Sequence, residues 1–192
     1  KIRDLNLKQE FQWYAGSRHS LRFGFNSTYH KIRPGDVTSS GTTSFNNFYL
    51  QDRFSWENAL FATDTWKAAP WLNITYGARL TSFSILGEGD FYEVDGDGNV
   101  TDTLTYGKGQ LVKNYLNLEP RLAASFILNP SSSFKASYVR NVQNLHLMSN
   151  STTGFPTDKW LASTNIIKPE IAGLVALGWY KNLAGNQLEF ST

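Results

Sequence analysis

The chain has 192 residues, enough for one domain or a large piece of one, and a net charge of only +2 carried by scattered basic residues, which argues against a nucleic-acid partner. Without a single cysteine it has no disulfide framework, thiol nucleophile or Cys-ligated metal, and no run approaches the roughly 18 apolar residues of a spanning helix. Its 15% aromatic and 18% charged residues instead suit strands with a lipid-facing side bordered by aromatic girdles; the mean hydropathy of −0.36 is compatible, because half of each such strand and all of each loop are free to be polar.

From Lys1-Ile2-Arg3-Asp4 onward the chain reads as strand. Leu5, Leu7, Phe11 and Trp13 share one parity, with Asn6, Lys8, Glu10 and Gln12 on the other. A short turn at Ala15-Gly16-Ser17-Arg18 leads to a second strand, where Leu21, Phe23, Phe25 and Tyr29 alternate with Arg22, Gly24, Asn26, Thr28 and His30. Pro34-Gly35-Asp36 ends it, and a polar loop runs to about Leu50. Phe54 to Trp66 reads as a third strand, in which the adjacent Leu60 and Phe61 require either a bulge or an inward-pointing ring. After the turn Lys67-Ala68-Ala69-Pro70, Leu72, Ile74, Tyr76, Ala78 and Leu80 alternate with Asn73, Thr75, Gly77, Arg79 and Thr81.

A glycine- and aspartate-rich loop follows from Gly87 to Gly109. The longest alternation begins at Leu116: Leu118, Pro120, Leu122, Ala124, Phe126 and Leu128 lie on one face, Asn117, Glu119, Arg121, Ala123, Ser125 and Ile127 on the other. That run exceeds an average soluble strand. Asn129-Pro130-Ser131-Ser132-Ser133 turns the chain, and a second strand from Phe134 is expected to reach Met148. A third long loop covers Ser149 to Ile167; a seventh strand, Ile171 to Tyr180, a turn at Leu183-Ala184-Gly185-Asn186 and the start of an eighth strand complete the chain. Short and long connections therefore alternate strictly, as in outer-membrane barrels with short periplasmic turns and long external loops.

Leu118-Glu119-Pro120-Arg121 with its long alternating strand, followed by Lys135-Ala136-Ser137-Tyr138, resembles the barrel of TonB-dependent outer-membrane receptors. Asp64-Thr65-Trp66 with Tyr76-Gly77-Ala78-Arg79 resembles an upstream hairpin of those barrels. Pro156-Thr157-Asp158-Lys159-Trp160, Ile167-Lys168-Pro169-Glu170 and Leu177-Gly178 resemble a later segment, most closely in the large receptors of Bacteroides-like bacteria. The resemblance implies a barrel of about 22 strands closed by an N-terminal plug. It also implies uptake of a scarce nutrient energised through the TonB complex, a small-molecule, peptide or glycan ligand, and a surface lipoprotein as a further partner. Residues 1–192 are then expected to form an all-β antiparallel meander of about eight strands, part of a large transmembrane β-barrel in outer-membrane lipid, with the plug and the remaining strands elsewhere. The eighth strand is expected to be cut short at Thr192, without closing on the first. Two other readings stand beside this one: a complete eight-stranded outer-membrane barrel serving as adhesin, anchor or enzyme, and a soluble all-β binding module.

No catalytic constellation is complete, and neither a cofactor nor a metal is expected. Asp95-Gly96-Asp97-Gly98-Asn99 begins like a calcium loop but continues with Val100 and Tyr106 where that loop needs Gly and Glu, so it reads as a turn at a loop tip. His19, His30 and His146 have no metal spacing, and Ser131-Ser132-Ser133 lacks the context of a nucleophile. Glu57, Asp64, Glu119 and Glu170 read as carboxylates of a barrel wall rather than an acid–base pair. On the polar face, Glu119 is expected to pair with Arg79 or Arg121. The long loops carry Phe45, Phe48, Tyr49, Phe91, Tyr92, Tyr106, Phe155 and Trp160. Packing or an outer girdle explains such rings most simply; as a ligand-stacking surface, Phe45, Tyr49, Phe91, Tyr92, Tyr106, Phe155 and Trp160 are the candidates, Trp160 foremost.

Overall fold

The computed structural model describes residues 1–33, 36–37, 48–49, 51–148, 159–183 and 188–192. Among these it contains strands and no helix. The first pair is β1 (Ile2–Ala15) and β2 (His19–Ile32), followed by the short β3 (Asp36–Val37) and β4 (Phe48–Tyr49). Next come β5 (Arg53–Ala69), β6 (Leu72–Leu86), β7 (Gly89–Val94), β8 (Val100–Tyr106), β9 (Leu111–Asn129) and β10 (Ser132–Gln143). The chain ends with β11 (Leu145–Met148), β12 (Lys159–Ala162), β13 (Glu170–Leu183) and β14 (Leu188–Ser191).

Eight of these form one antiparallel sheet in the order β1-β2-β5-β6-β9-β10-β13-β14, a meander in which every strand neighbours the next one of the sheet. Among the described residues no pairing joins β1 to β14. The alternation of the sequence explains the two faces. Leu5, Leu118 and Val175 are 76%, 52% and 70% exposed on one side, with Phe11, Trp13, Leu60 and Leu80 beside them. A continuous band of large apolar side chains on one side of a long-stranded sheet suits contact with lipid. Gly16, at a φ of +78°, lets the first short turn reverse in three residues. Gly77 is needed for a different reason, since a Cβ there would lie 2.4 Å from the Ala62 carbonyl oxygen on the neighbouring strand.

Of the two possibilities at Leu60 and Phe61 the structure takes the inward-pointing ring: the register is uninterrupted on both sides, Leu60 faces outward and Phe61 turns to the polar face. Bulges of this sheet fall near strand ends, at Lys67/Ala69, Ile85/Leu86 and Ser132/Ser133. Two expectations are corrected. The three long connections are not plain loops, because each holds its own two-stranded piece, β3–β4, β7–β8 and β11–β12. Finally, the strand expected to reach Met148 leaves the main sheet at Asn144; Leu145–Met148 pair with β12 instead.

The strands of the sheet overshoot the membrane. β1 and β2 have 14 residues each and β9 has 19, against the roughly 9–11 that cross a bilayer. The buried core lies in this overshoot, at the end of the long connections. Ile32, Phe83 and Ile85 from the polar-face parity of β2 and β6 pack there with Phe91 of β7 and Ala162 of β12.

Candidate functional site

Opposite the lipid-facing side, the sheet carries a polar face built by strand register. Arg79 lies directly opposite Glu119, and Gly77 opposite Arg121, across β6 and β9. Glu119 is buried; the Thr81 hydroxyl donates to its Oε1 at 2.6 Å, while Arg79 Nε and Arg121 Nη2 stand 3.8 and 4.0 Å from its oxygens. The same Arg79 reaches back to Glu57 on β5 through Nη2 at 3.5 Å. Lower on this face, towards the short turns, Glu10 pairs with Lys8 at 2.9 Å and with Arg22 at 3.6 Å. The result is a belt of alternating charge across five strands, hydrogen-bonded near the loop end and more open below.

The loop end of this face is covered. Asn144, where β10 gives way to β11, donates from Nδ2 to Glu57 Oε2 at 2.9 Å, crossing from one side of the sheet to the other. The β11–β12 arm therefore lies over the polar face, with Leu145 and Ala162 against the Ile32–Phe83–Ile85 core. Beyond β12, Tyr115 Oη donates to the Thr164 carbonyl at 2.8 Å, and Asn165 Nδ2 donates to the Tyr92 carbonyl at 2.7 Å. The first long connection joins the same assembly, since Gln51 accepts from the Asp90 backbone N–H at 3.0 Å and donates to the Asp90 carboxylate at 3.4 Å. All three long connections are thus linked through β7, the first strand of the β7–β8 piece. Beneath the arm, Ser55 Oγ and Asn144 Oδ1 are buried without a hydrogen-bond partner among the described residues.

The loop aromatics separate under this geometry. Phe91, read from the sequence as a candidate stacking ring, is only 3% exposed; Tyr106 meets it edge-on with centroids 5.6 Å apart, and the Arg53 guanidinium sits 4.4 Å above it. The period of β7 turns Phe91 into the core and Tyr92 outward, so Phe91 is a packing residue and Tyr92 remains available at the mouth. Tyr106 is half-buried against the same core. Tyr49 lies on β4 and Trp160 on β12, where Trp160 is opposite Leu147. Phe45 and Phe155 lie outside the described residues. Sequence reasoning missed Asn144, Tyr115, Gln51 and Asn165, whose roles depend on contacts 39 to 87 residues apart in the chain.

The remaining polar motifs close on themselves. Asp95 accepts from the backbone N–H groups of Asn99 and Asp97 at 2.8 and 3.0 Å and from the Asn99 amide at 3.1 Å, hydrogen bonds that hold its carboxyl below the usual range. That is the chemistry of a turn, with Gly98 at a φ of +87° completing it. His30 pairs with Asp4 at 2.9 Å, His19 with Asp64 at 2.7 Å, and His146 with the Ser163 hydroxyl at 3.0 Å. Among the described residues no group of three or more such side chains could hold a metal ion. At the foot of the first long connection, hydrogen bonds from Arg33 and then Lys31 hold the Asp52 carboxyl down to about 2.

An antiparallel meander with a lipid-suited outer face, a charged inner face and long connections gathered at one end defines the wall of an outer-membrane β-barrel. Residues 2–189 match the family described as TonB dependent receptor-like, beta-barrel, and the chain belongs to that family, whose members reside in the outer membrane. The match distinguishes no subfamily, Bacteroides-like or other. It decides against the soluble binding module, which composition alone left open. No curated protein sequence matches the chain. Among solved structures, the ferric-catecholate import receptor Fiu of E. coli K12, in its closed form, is similar with a TM-score of 0.52 at 16% identity, over 99% of this chain and 30% of that one. At this identity the likeness is one of fold, and the chain spans 30% of the length of that receptor.

Proposed function

We propose that this chain forms wall and mouth of an outer-membrane receptor that imports a scarce nutrient, with energy delivered by the TonB complex to an N-terminal region outside these residues. The observation that carries the reading is the inward-lying β11–β12 arm, tied to both the polar wall and the β7–β8 piece. A passive wall has no use for three long connections linked to one another over its lumen face, whereas a receptor must gather residues from several loops around one ligand. The ligand class remains a small molecule, a peptide or a glycan; Fiu bears a ferric-catecholate name, and the fold likeness supports import rather than that cargo. A surface lipoprotein is proposed as an additional partner on the family resemblance alone.

The loops, not the short turns, carry specificity in this reading, because turns of about two to five residues have no reach beyond the rim. Tyr92 and Trp160 are the rings proposed to meet ligand, with Phe45, Tyr49, Tyr106 and Phe155 as further candidates. Uptake of the nutrient by cells carrying the full-length receptor should vanish when TonB is deleted and return when it is restored. Uptake that persists unchanged without TonB would overturn the reading. For the mouth, Trp160→Ala in the full-length receptor should lower ligand affinity while leaving heat-modifiable barrel migration intact; lost migration with unchanged affinity would make Trp160 a girdle residue.

A further inference from the structure

Among the described residues, the outward parity of the eight-stranded sheet carries one carboxylate, Asp64 of β5. It lies opposite Leu21 on β2 and Tyr76 on β6, and the same row continues to Trp13 on β1 and Leu122 on β9. Asp64 is only 6% exposed. The Tyr76 hydroxyl donates to its Oδ2 at 2.9 Å, and His19 Nδ1 meets the same oxygen at 2.7 Å, with the His19 ring stacked on Trp66 at a centroid distance of 5.8 Å. The other oxygen, Oδ1, has no hydrogen-bond partner among the described residues. Rings of Trp and Tyr mark the level of lipid headgroups on a barrel wall. Trp13, Trp66 and Tyr76, all exposed, set that level around Asp64, near the short turns. A carboxylate facing lipid is costly unless donors or a cation answer both of its oxygens.

Beside Asp64 the wall is notched. Ala62 lies opposite Ala78, and these small side chains line a hollow of about 570 Å³ together with Asp64, Tyr76, Phe23 and Leu122. A second hollow of about 500 Å³ shares Phe23, Ala62 and Ala78 and continues towards the loops along Phe25, Leu60 and Leu80. From Asp64 to Leu60 the groove follows roughly 13 Å of strand, against about 15 Å of apolar depth in one leaflet. It is an apolar groove of acyl-chain length that ends on a carboxylate at headgroup level. A carboxylate only accepts hydrogen bonds, so its complement is a cation with N–H donors. A primary ammonium supplies both, whereas a quaternary one supplies charge without a donor. The terminal torsion of an aspartate is soft and turns an oxygen towards the hollow at little cost. We propose that the groove holds an ethanolamine phospholipid of the inner leaflet, its ammonium donating to Asp64 and one acyl chain running over Ala62 and Ala78 towards Leu80. The site rests on the orientation that places the short turns in the periplasm, and it is independent of which nutrient is imported.

The test uses the full-length receptor in detergent and three probes with identical acyl chains: phosphatidylethanolamine, phosphatidylcholine and phosphatidylglycerol. Binding is read by titration and by native mass spectrometry. The wild-type receptor should bind the ethanolamine lipid about tenfold more tightly than either of the others, the worth of one hydrogen bond to a charged group. D64N should reduce that preference to within about twofold. D97N, which removes an exposed carboxylate from the turn of the β7–β8 piece, should keep it. A62L fills the groove and should weaken all three lipids alike. Equal binding of the ethanolamine and choline lipids by the wild type would overturn the proposal, and tighter binding of the choline lipid would do so in favour of an aromatic cage. A preference retained by D64N would overturn it, as would an A62L receptor that binds all three lipids unchanged. If D64N fails to show heat-modifiable migration, the comparison of the three lipids on the wild type decides alone.

Discussion

The two ends of the polar face are made by the same strands and have opposite physical character. Near the short turns, Lys8, Glu10 and Arg22 stand in the open, and their pairing is that of a solvated surface. Near the loops, Thr28, His30, Ser55, Thr81 and Phe83 on the same parity are buried. Alternation cannot distinguish these ends, because both are inward positions of the same strands. The difference is made by chain that arrives from elsewhere, chiefly Asn144 and β12. In a barrel wall, then, burial is a property of what the loops cover, and stability is expected to concentrate at the covered end.

The sharpest way to break this comparison is to empty the covered core. Phe83 is fully buried, so Phe83→Ala should cost about 3–5 kcal/mol in urea unfolding of the folded barrel, whereas Leu80→Ala on the lipid face should cost about 1–2 kcal/mol because lipid fills the gap. Equal costs would mean that the core at the mouth contributes no more than the lipid-facing wall. The charged belt gives the next effect. Glu119→Ala strips partners from Thr81 and Arg79 in a buried setting and should cost about 1–3 kcal/mol, while Glu10→Gln at the solvent-screened open end should leave the midpoint nearly unchanged. Thermal and urea midpoints of the pair measure the contrast.

Asn144→Ala tests the tether itself. It should leave the barrel transition within about 1–2 kcal/mol but raise hydrogen exchange in Leu145–Met148 and Lys159–Ala162 selectively. Exchange unchanged in both strands would show that the arm does not depend on Glu57. The smallest effect concerns pH. Asp52 titrates at about 2 instead of its ordinary value near 4, so the unfolded chain binds the extra proton first on acidification. The stability contributed by its contacts with Arg33 and Lys31 is therefore complete above about pH 4 and is lost as pH falls towards 2. Amide exchange at residues 31–33 and 51–53, corrected for intrinsic rates, should rise across that window in the wild type. In Asp52→Asn it should already be raised at pH 5 and show no further step.

Much of the fold was legible because period-two alternation and turn chemistry are local. Leu72 to Leu80 and Leu116 to Leu128 carry both face and direction in their own residues, and the same parity aligns Arg79 with Glu119 once β6 and β9 are paired. Phe61 was ambiguous for a reason that is also physical: an apolar ring on the polar face costs little when Gly24 opposite it leaves room. The mouth was less legible. Nothing near Phe91 announces that Arg53 covers its ring, or that the strand from Phe134 ends at Gln143 because Asn144 is drawn to Glu57.

By itself the sequence determined an all-β chain with a lipid-facing side, a charged side, short turns at one end and long connections at the other, since each of those follows from spacing within one strand or one turn. The tertiary structure alone decided that the long connections hold paired strands and that the third folds inward. Those features arise from residues far apart in the chain, and the free energy that selects them comes from contacts that exist only once the strands are aligned.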